Sequence, residues 1–409
     1  MNTFPQKGIF FAQLTAMNKI TLKTFIFFFM LFAACSTVQA QHAIQRSKVK
    51  IAILAPLYLD SAFNGPVYKL QGNSIPKYIL PGLDFYHGVM TAIDSLKKEN
   101  TPIDVAIFDT KKAGKGINAI LSDIKADSST LIIAAFNNSA EQKAVSDFSF
   151  EENIPVLSAT YPNDANLTGN PFFVMLNSTI STHINAIYDY ARRNYSRYKI
   201  IYVTKGGGFE TRIKSQFDNL NKSKSLVYKT ISLSDNFDPD ALIFNMDSTK
   251  QNLVICGSLD DAFGLNIVKA ISAAKSYRTT VVGMPTWESN DNFNNPDCSG
   301  VEIVFTTPYN YSRTDMIGQY MTSVYRRDHF GRPTDMYFKG FESMYHFSKL
   351  LVKYRTNILN NISDPAFKIS TDFYFEPVRL GKESYAPDYI ENKKIYFVKK
   401  QDGLVKAVN

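Results

Sequence analysis

The segment TLIIAAFNNSAEQ, residues 130–142, decides the fold, because an apolar run passes directly into a polar helix start. The run TLIIAA has the length and composition of a buried strand. The letters NSAE and SAEQ both fit a capping box, with Asn138 or Ser139 as the cap of the next helix. A second apolar run, NIPVLSA at 153–159, also ends at a hydrogen-bonding residue, Thr160. Together these features predict a βαβ unit with polar side chains at one edge of its sheet.

The same alternation continues along the chain and predicts an α/β fold. Further strands are predicted at 50–56, 103–109, 198–204, 225–233, 252–258, 279–285 and 301–310, with two more in the tail on either side of Gly381. Helical spacing of apolar residues is found at 82–100, 116–126, 139–152, 183–195, 211–221, 261–276 and 341–354. About ten strands in a chain of this length favour two smaller parallel sheets, each doubly wound with helices on both faces, over one large sheet. In such sheets ligands bind at the carboxyl ends of the strands.

Composition and charge limit the classes of function. The chain has 409 residues, of which 45% are hydrophobic and 20% charged, as in globular proteins. Its formal net charge of +8 includes three lysines within residues 1–40, which contain no acidic residue, so the remainder carries about +5. The other basic residues are scattered, and we predict no nucleic-acid partner.

The N-terminus predicts secretion. From Met17, an alternative start, two lysines precede the apolar FIFFFMLFAA and then VQA before Gln41, the pattern of a secretory signal peptide over residues 1–40. The apolar centre is too short to span a bilayer, and we expect no transmembrane segment in the mature chain. The predicted location is therefore the periplasm. Lipidation of Cys35, within the lipobox-like LFAAC, is the alternative to cleavage after Ala40.

Signals for enzymes, metals and cofactors are weak. The five histidines form no HxxxH or HExxH pair, and no CxxC is present. GGG at 206–208 lacks the third glycine of a dinucleotide loop, and CGSLD at 256–260 is not a nucleophile elbow. We therefore predict no enzyme activity, no metal and no cofactor. Cys256 and Cys298 would either pair after secretion or remain thiols, and the run around Cys256 favours a buried thiol.

Each polar strand end has a structural and a functional interpretation. Asn138 and Ser139 cap a helix, but a helix start also binds anions. Asp260 and Asp261 either stabilise the helix that they begin or supply a counter-charge for a ligand amine. Trp287, the only tryptophan, either fills the core or walls a cleft.

The order of these elements resembles the type I periplasmic binding proteins, on the side of the branched-chain amino acid receptors. The resemblance covers nearly all of residues 48–400. It rests on KIAILAPL (50–57), GLDFYHGVMTAID (82–94), the segment 131–163, YKIIYVTKGGGFETRIKSQF (198–217), NLVICGSLDDAFGLNIVKA (252–270) and TTVVGMPTWES (279–289). In that family two α/β lobes, joined by three crossovers, close on a small ligand.

The resemblance implies ligand-binding positions in this sequence. In that family a serine run, a short Ser/Ala/Thr turn, an acid that holds the amine, and the closing second lobe contact the ligand. The serine run corresponds to Asn137, Asn138 and Ser139, and the turn to Ser158, Ala159 and Thr160, followed by Tyr161. The acid corresponds to Asp260 (or Asp261), and the second lobe contributes Phe209 and Trp287. Two asparagines replace serines, Tyr161 adds bulk, and residues 57–81 are longer than the usual first loop.

The resemblance also implies lobe boundaries and a function. Lobe one is expected to hold residues 48–178 and 308–366, and lobe two residues 179–307 and 367–400. We expect an extracytoplasmic solute-binding protein that delivers a small polar, amino-acid-like ligand to an ABC permease or a sensor. The alternative is an envelope interaction protein on the same fold, such as an activator of a cell-wall synthase.

Overall fold

The computed structural model describes residues 47–70, 75–310, 315–381, 386–401 and 404–408. The predicted signal peptide 1–40, the alternative start Met17 and the lipidation candidate Cys35 lie outside these residues and remain predictions. The compact unit Val49–Asn409 holds all the strands and helices described below.

Two seven-stranded sheets organise this unit. The first sheet, from edge to edge, contains β13 (Phe375–Val378), β14 (Tyr389–Asn392), β7 (Phe173–Met175), β6 (Val156–Ser158), β5 (Leu131–Ala134), β1 (Val49–Ala55) and β4 (Ile103–Asp109). The second contains β16 (Leu404–Val408), β15 (Tyr396–Gln401), β12 (Glu302–Thr307), β11 (Thr279–Val282), β10 (Asn252–Cys256), β8 (Lys199–Thr204) and β9 (Lys229–Ser232). A small hairpin pairs β2 (Phe63–Asn64) with β3 (Val67–Tyr68).

Most strand pairs are parallel; in the large sheets only β13–β14, β12–β15 and β15–β16 run antiparallel within the described part. The register of β5 and β6 sets Ile132 beside Val156 and Ala134 beside Ser158, so both strands end at the same edge of the sheet. Every residue of β5 is buried, as expected for a parallel strand covered on both faces.

Helices cover both faces of each sheet. They are α1 (Leu59–Ala62), α2 (Leu80–Lys98), α3 (Ile117–Asp127), α4 (Ser139–Glu152), α5 (Ile180–Asn194), α6 (Gly208–Ser223), α7 (Pro239–Ile243), α8 (Asp261–Ala273), α9 (Met316–His329) and α10 (Asp335–Tyr354). Short 3₁₀ turns lie at Pro285–Ser289, Asp291–Asn294, Pro296–Cys298, Arg355–Asn357, Leu359–Asn361 and Pro365–Phe367.

Four apolar clusters fill the space between helices and sheets. Each sheet has one cluster on each face, so each lobe is a three-layer α/β unit. The predicted fold class, two doubly wound parallel-sheet lobes, is confirmed.

The chain crosses between the two sheets three times. It leaves the first sheet after β7, returns after β12 and leaves again after β14. The strand pairing differs in one respect from the expected boundary, which places residues 367–400 in lobe two. β13 and β14 instead extend the first sheet, and only β15 and β16 join the second, because β14 pairs with β7. The lobe boundaries as a whole remain a prediction.

Cys256 and Cys298 are both buried free thiols, so the pairing left open by the sequence does not form. Burial raises the pKa of the Cys256 thiol to about 12. Within the described ranges, no helix combines the length and the hydropathy needed to cross a membrane.

Candidate functional site

The carboxyl end of β5 carries the first group of candidates. Asn138 is the helix cap, because its Oδ1 accepts the backbone N–H of Glu141 at 2.9 Å. Its amide donates to Asn137 Oδ1 at 3.1 Å, and the Asn137 amide donates to the Tyr58 hydroxyl at 3.1 Å. Ser139 is exposed at the first position of α4. The three side chains therefore form an exposed polar edge at a helix start.

The carboxyl end of β6 lies beside this edge. Thr160 Oγ1 donates to the carbonyl of Phe136 at 3.2 Å, which joins the two strand ends directly. Ser158 and Ala159 are fully buried, and the Ala159 carbonyl accepts the Tyr309 hydroxyl at 2.5 Å. Tyr161 is half-buried against the apolar cluster around α3 and α4. The structure thus brings the two predicted strand ends together, as the sequence pattern implied.

The long segment between β1 and α2 is anchored at the same edge of the first sheet. Asp109, at the end of β4, accepts the backbone N–H groups of Leu57, Tyr58 and Leu59 at 2.9, 3.2 and 2.9 Å. The ring of Tyr58 meets that of Tyr78 edge-on at 5.0 Å. The length of this segment is visible in the sequence, but the role of Asp109 is not, because its only local signal is an acid closing an apolar strand.

The same segment exposes a set of large apolar side chains. They are Leu59, Phe63, Val67, Tyr68, Ile75, Tyr78 and Leu80. We call these residues the rim patch. Because Tyr58 contacts Asn137, the rim patch belongs to a segment anchored beside the polar strand ends.

In the second sheet, Asp260 has two kinds of partner. Its Oδ1 accepts the N–H groups of Ala262 and Phe263 at 3.0 and 3.1 Å and so caps α8. Its Oδ2 lies 2.5 Å from the Lys205 ammonium, which also contacts Asp235 at 2.7 Å. The Lys205 contact and the helix N–H groups lower the pKa of the Asp260 carboxyl. The role of Asp260 in holding a ligand amine remains a prediction, but its charge is already balanced within the chain.

Asp261, the neighbouring alternative, accepts the Asn290 amide at 2.8 Å. This contact fixes the segment after Trp287 to the start of α8, so Asp261 also has a structural partner.

Trp287 lies in the core of the second lobe. Its side chain is fully buried and stacks on Phe293 at 4.6 Å between ring centroids. A Cβ atom added at Gly264 or Gly283 would lie 2.2 Å from the indole, so both glycines are needed to admit it. The structure therefore favours the core interpretation over a cleft wall. Phe209, by contrast, is 36% exposed near the start of α6.

A large cleft of about 1320 Å³ lies next to the third crossover. Its walls come from α5 of the second lobe and from residues 363–376, and its remaining lining comes from residues 310, 346 and 393–397. None of the ten residues carried over by resemblance lines it. Its lining charges are mostly paired, for example Lys368 with Asp372 and Lys393 with Glu391.

Lys339 of α10 is a further charged group that sequence analysis missed. The residue is 9% exposed, and its ammonium lies 5.1 Å from the centroid of the Tyr309 ring. Burial, followed by the nearby Lys339 charge, lowers the pKa of His183 to about 3. The one signal in the sequence was a lysine inside the apolar run MYFKGF.

Among the residues that the structure describes, no group of three His, Cys, Asp or Glu side chains is placed to hold a metal ion.

No protein-family model and no curated protein sequence matches the chain. Solved structures do match over most of its length. A branched-chain amino acid ABC transporter periplasmic ligand-binding protein from Burkholderia xenovorans aligns with a TM-score of 0.61 at 12% identity, covering 88% of this chain and 95% of that one. The fold is that of the type I periplasmic binding proteins.

Two further structures of this fold contain ligands. An ABC transporter substrate-binding protein from Desulfitobacterium hafniense, in complex with Leu, has a TM-score of 0.54 at 11% identity over 88% of this chain and 100% of that one. A solute-binding protein of an ABC transporter from R. palustris, in complex with benzoate, has a TM-score of 0.50 at 13% identity over 89% and 96%. At these identities the likeness establishes the type I periplasmic binding protein fold, and the ligand of this chain must be argued from its own residues.

Proposed function

We propose that this chain is an extracytoplasmic solute-binding protein whose two lobes close like a hinge on a small polar ligand. The observation that carries the proposal is the polar edge at the ends of β5 and β6, where Asn137, Asn138, Ser139 and Thr160 meet beside a helix start. A helix start of this kind supplies unpaired N–H groups for an anionic or polar ligand atom. Three crossovers between the lobes support a hinge.

The proposed ligand is amino-acid-like. The similar structures that contain Leu and benzoate both hold small carboxylate compounds. Exposed Phe209 on the second lobe is proposed to close over the ligand, and Asp260 is proposed to face a ligand amine. Fully buried Ala159 would act by shaping the site, and fully buried Trp287 would act only by supporting the second lobe from its core.

We further propose a periplasmic location, removal of residues 1–40 without lipidation of Cys35, and delivery to an ABC permease or a sensor. The role is binding and not catalysis, in line with the receptors that share this fold.

A thermal-shift screen of amino acids, short peptides and small carboxylates tests the proposal. We expect at least one compound to raise the melting temperature and to reduce the radius of gyration in small-angle X-ray scattering. A ligand that stabilises the protein without compacting it would contradict closure, and a screen with no binder would contradict a small-molecule role.

The rim patch supports a second candidate, an envelope interaction protein. Its exposed aromatic and aliphatic side chains are of the kind that bind protein partners. The internal pairing of Asp260 with Lys205 fits this candidate as well, because this carboxylate has a counter-charge within the chain and needs none from a ligand. Lipidation of Cys35, detected by mass spectrometry of the native protein, would favour it.

A further inference from the structure

The cleft next to the third crossover is large enough to be a second ligand site. One wall is a face of α5 in the second lobe, and another comes from residues 363–376, which lead into β13 of the first sheet. Its volume of about 1320 Å³ exceeds the roughly 300–1,000 Å³ of pockets that hold one drug-sized molecule. None of the ten positions expected to bind an amino-acid-like solute lines it. The cleft therefore has room for a ligand of several linked units, apart from the strand ends.

The charges that line this cleft are balanced within the chain. Among the described residues, four acidic and four basic ones line it, so its lining carries no net formal charge. Lys368 pairs with Asp372 at 2.6 Å. Contacts with Lys353 and the Tyr354 hydroxyl, at 2.7 and 2.5 Å, lower the pKa of Asp364 to about 2. A lining with balanced charges selects neither an anion nor a cation, which favours an uncharged ligand.

The other lining side chains combine aromatic rings with amide groups. Five phenylalanine and tyrosine residues and three asparagines are among them. Tyr374, on the wall from the first lobe, is 55% exposed, and Asn185 is exposed on α5. The negative face of an aromatic ring attracts C–H groups, and an amide both donates hydrogen bonds to hydroxyls and accepts them. A sugar ring presents C–H groups on its faces and hydroxyls around its edge, so it matches both kinds of side chain.

One buried polar atom at this cleft has no partner. His346 lines the cleft and is 2% exposed, and its Nδ1 atom makes no hydrogen bond within the described part of the chain. Burial lowers the pKa of His346, so the ring carries no charge at neutral pH. A neutral imidazole nitrogen bonds to a hydroxyl group as either donor or acceptor, depending on the tautomer. This side chain therefore also fits a hydroxyl-bearing ligand better than a charged one.

The strand beside the cleft is poorly suited to binding an extended peptide. A peptide can bind beside a sheet by pairing its backbone with an edge strand, and β13 is an edge strand of the first sheet. However, the Phe375 N–H is donated to Ser363 Oγ at 2.9 Å, and Pro377 has no N–H. Two of the four residues of β13 thus offer no backbone donor, so recognition in this cleft depends on side chains.

We infer that the cleft next to the third crossover binds an uncharged oligosaccharide. A sugar ring stacks on Tyr374, and hydroxyl groups bond to Asn185 and to the other amides of the lining. Because its walls belong to elements of both sheets, the bound saccharide contacts both lobes. The inference does not rest on the proposed solute-binding function, since the two sites share no described residue.

Calorimetry with neutral trisaccharides tests the inference. The set is maltotriose, cellotriose, mannotriose, xylotriose and chitotriose, with N-acetyl-trialanine amide as an uncharged peptide of similar length. We expect at least one trisaccharide to bind the purified protein and the peptide not to bind. Tyr374→Ala should weaken binding of that trisaccharide by about tenfold, and Asn185→Ala by about three- to tenfold.

Matched variants outside the cleft control for the loss of a ring or an amide. Tyr320→Ala removes a tyrosine that is 46% exposed on α9, and Asn118→Ala removes an exposed asparagine of α3. Neither residue lines the cleft, so both variants should bind the trisaccharide as the wild type does. All four side chains are exposed, and melting temperatures near that of the wild type would confirm that each variant folds.

The outcomes separate this inference from the proposed function. Weaker binding in either cleft variant, with both controls unchanged, supports the saccharide site. Failure of every trisaccharide to bind, tighter binding of the peptide, or a trisaccharide that binds the cleft variants and the controls alike would overturn it. The set contains no free amino acid and no carboxylate, so the thermal-shift screen for small solutes succeeds or fails independently of these results.

Discussion

Asp260 illustrates how one side chain can serve the fold at a position where a ligand contact was expected. The sequence showed an acid between a strand and a helix, and both interpretations were compatible with that pattern. The structure adds Lys205, 55 residues earlier, as an ion-pair partner. Because such a contact depends on the packing of distant elements, no local pattern could reveal it.

Asp260→Ala should lower the free energy of unfolding by about 1 kcal/mol, because α8 loses its cap. Asp235→Ala is the matched control, because it removes the other ion-pair partner of Lys205 but no helix cap. We expect it to change the free energy of unfolding little, because exposed ion pairs contribute little to stability. Urea unfolding of both variants measures the difference. Equal stability of the two would mean that the cap contributes nothing; any loss of ligand affinity in Asp260→Ala beyond Asp235→Ala would support the proposed amine contact.

His183 predicts a dependence of stability on pH. Burial and the Lys339 charge lower its pKa from 6.5 to about 3, while Nδ1 lies 2.9 Å from Thr306 Oγ1. The unfolded chain then takes up a proton below pH 6.5 that the folded protein does not, so this residue makes stability fall as pH drops from 6.5 towards 3.

His183→Gln, which keeps a hydrogen-bonding side chain, should reduce that slope by up to about 1.4 kcal/mol per pH unit. Denaturant midpoints at pH 7.5 and pH 5 (roughly one unit or more on each side of a free histidine's pKa) provide the measurement. An unchanged difference between the two pH values would show that His183 titrates normally.

At the scale of elements, local periodicity predicted most strands and helices but not how they pair. The strand 103–109 and the helix 139–152 were predicted with the bounds that the structure has. α10 begins at Asp335, six residues before the predicted start at 341. The predicted start is late because Lys339 and Gly340 interrupt the apolar pattern of the sequence, although both are buried in the structure. The placement of β13 and β14 depended on pairing with β7, a contact between residues far apart in sequence.

Close packing of α2 against α10 depends on two glycines. A Cβ atom at Gly88 would lie 1.9 Å from the Tyr337 carbonyl oxygen, and one at Gly340 would lie 2.1 Å from that of Phe85. Gly88→Ala and Gly340→Ala should each destabilise the protein by about 1–3 kcal/mol, because the obstacle is backbone. Gly206→Ala, with no atom within 4 Å, is the control and should be nearly neutral. Thermal unfolding that ranks Gly206→Ala with the other two would contradict this account.

At the scale of the whole molecule, the three crossovers meet at one buried side chain. The Asn392 amide donates to the carbonyls of Leu176 at 3.2 Å and Pro308 at 3.5 Å, which belong to the first and second crossovers. Its Oδ1 accepts the N–H groups of Tyr374 and Lys394, both at 3.1 Å, and Lys394 belongs to the third. Asn392 is fully buried, and its side-chain amide contacts all three crossover segments.

This arrangement leads to a prediction about motion. Asn392→Ala would leave the carbonyls of Leu176 and Pro308 without their donor and should cost about 1–3 kcal/mol of stability. It should also broaden the distribution of distances between the lobes, because the three crossover segments would no longer contact one common side chain. Asn170→Ala is the matched control: Asn170 is 3% exposed and donates to both oxygens of Ser146 at 2.8 and 2.9 Å, but all its partners lie within the first lobe.

Nitroxide labels on cysteines introduced at exposed Ser122 and Ser223, one on each lobe, report the distance by pulsed electron spin resonance. The native thiols of Cys256 and Cys298 are buried and should label slowly. Similar losses of stability in the two variants, with a broader distance distribution only in Asn392→Ala, would identify Asn392 as the anchor of the hinge. If both variants kept the wild-type distribution of distances between the lobes, Asn392 would not be the anchor of the hinge. Its buried amide would then contribute to stability through its hydrogen bonds without restricting the motion of the lobes.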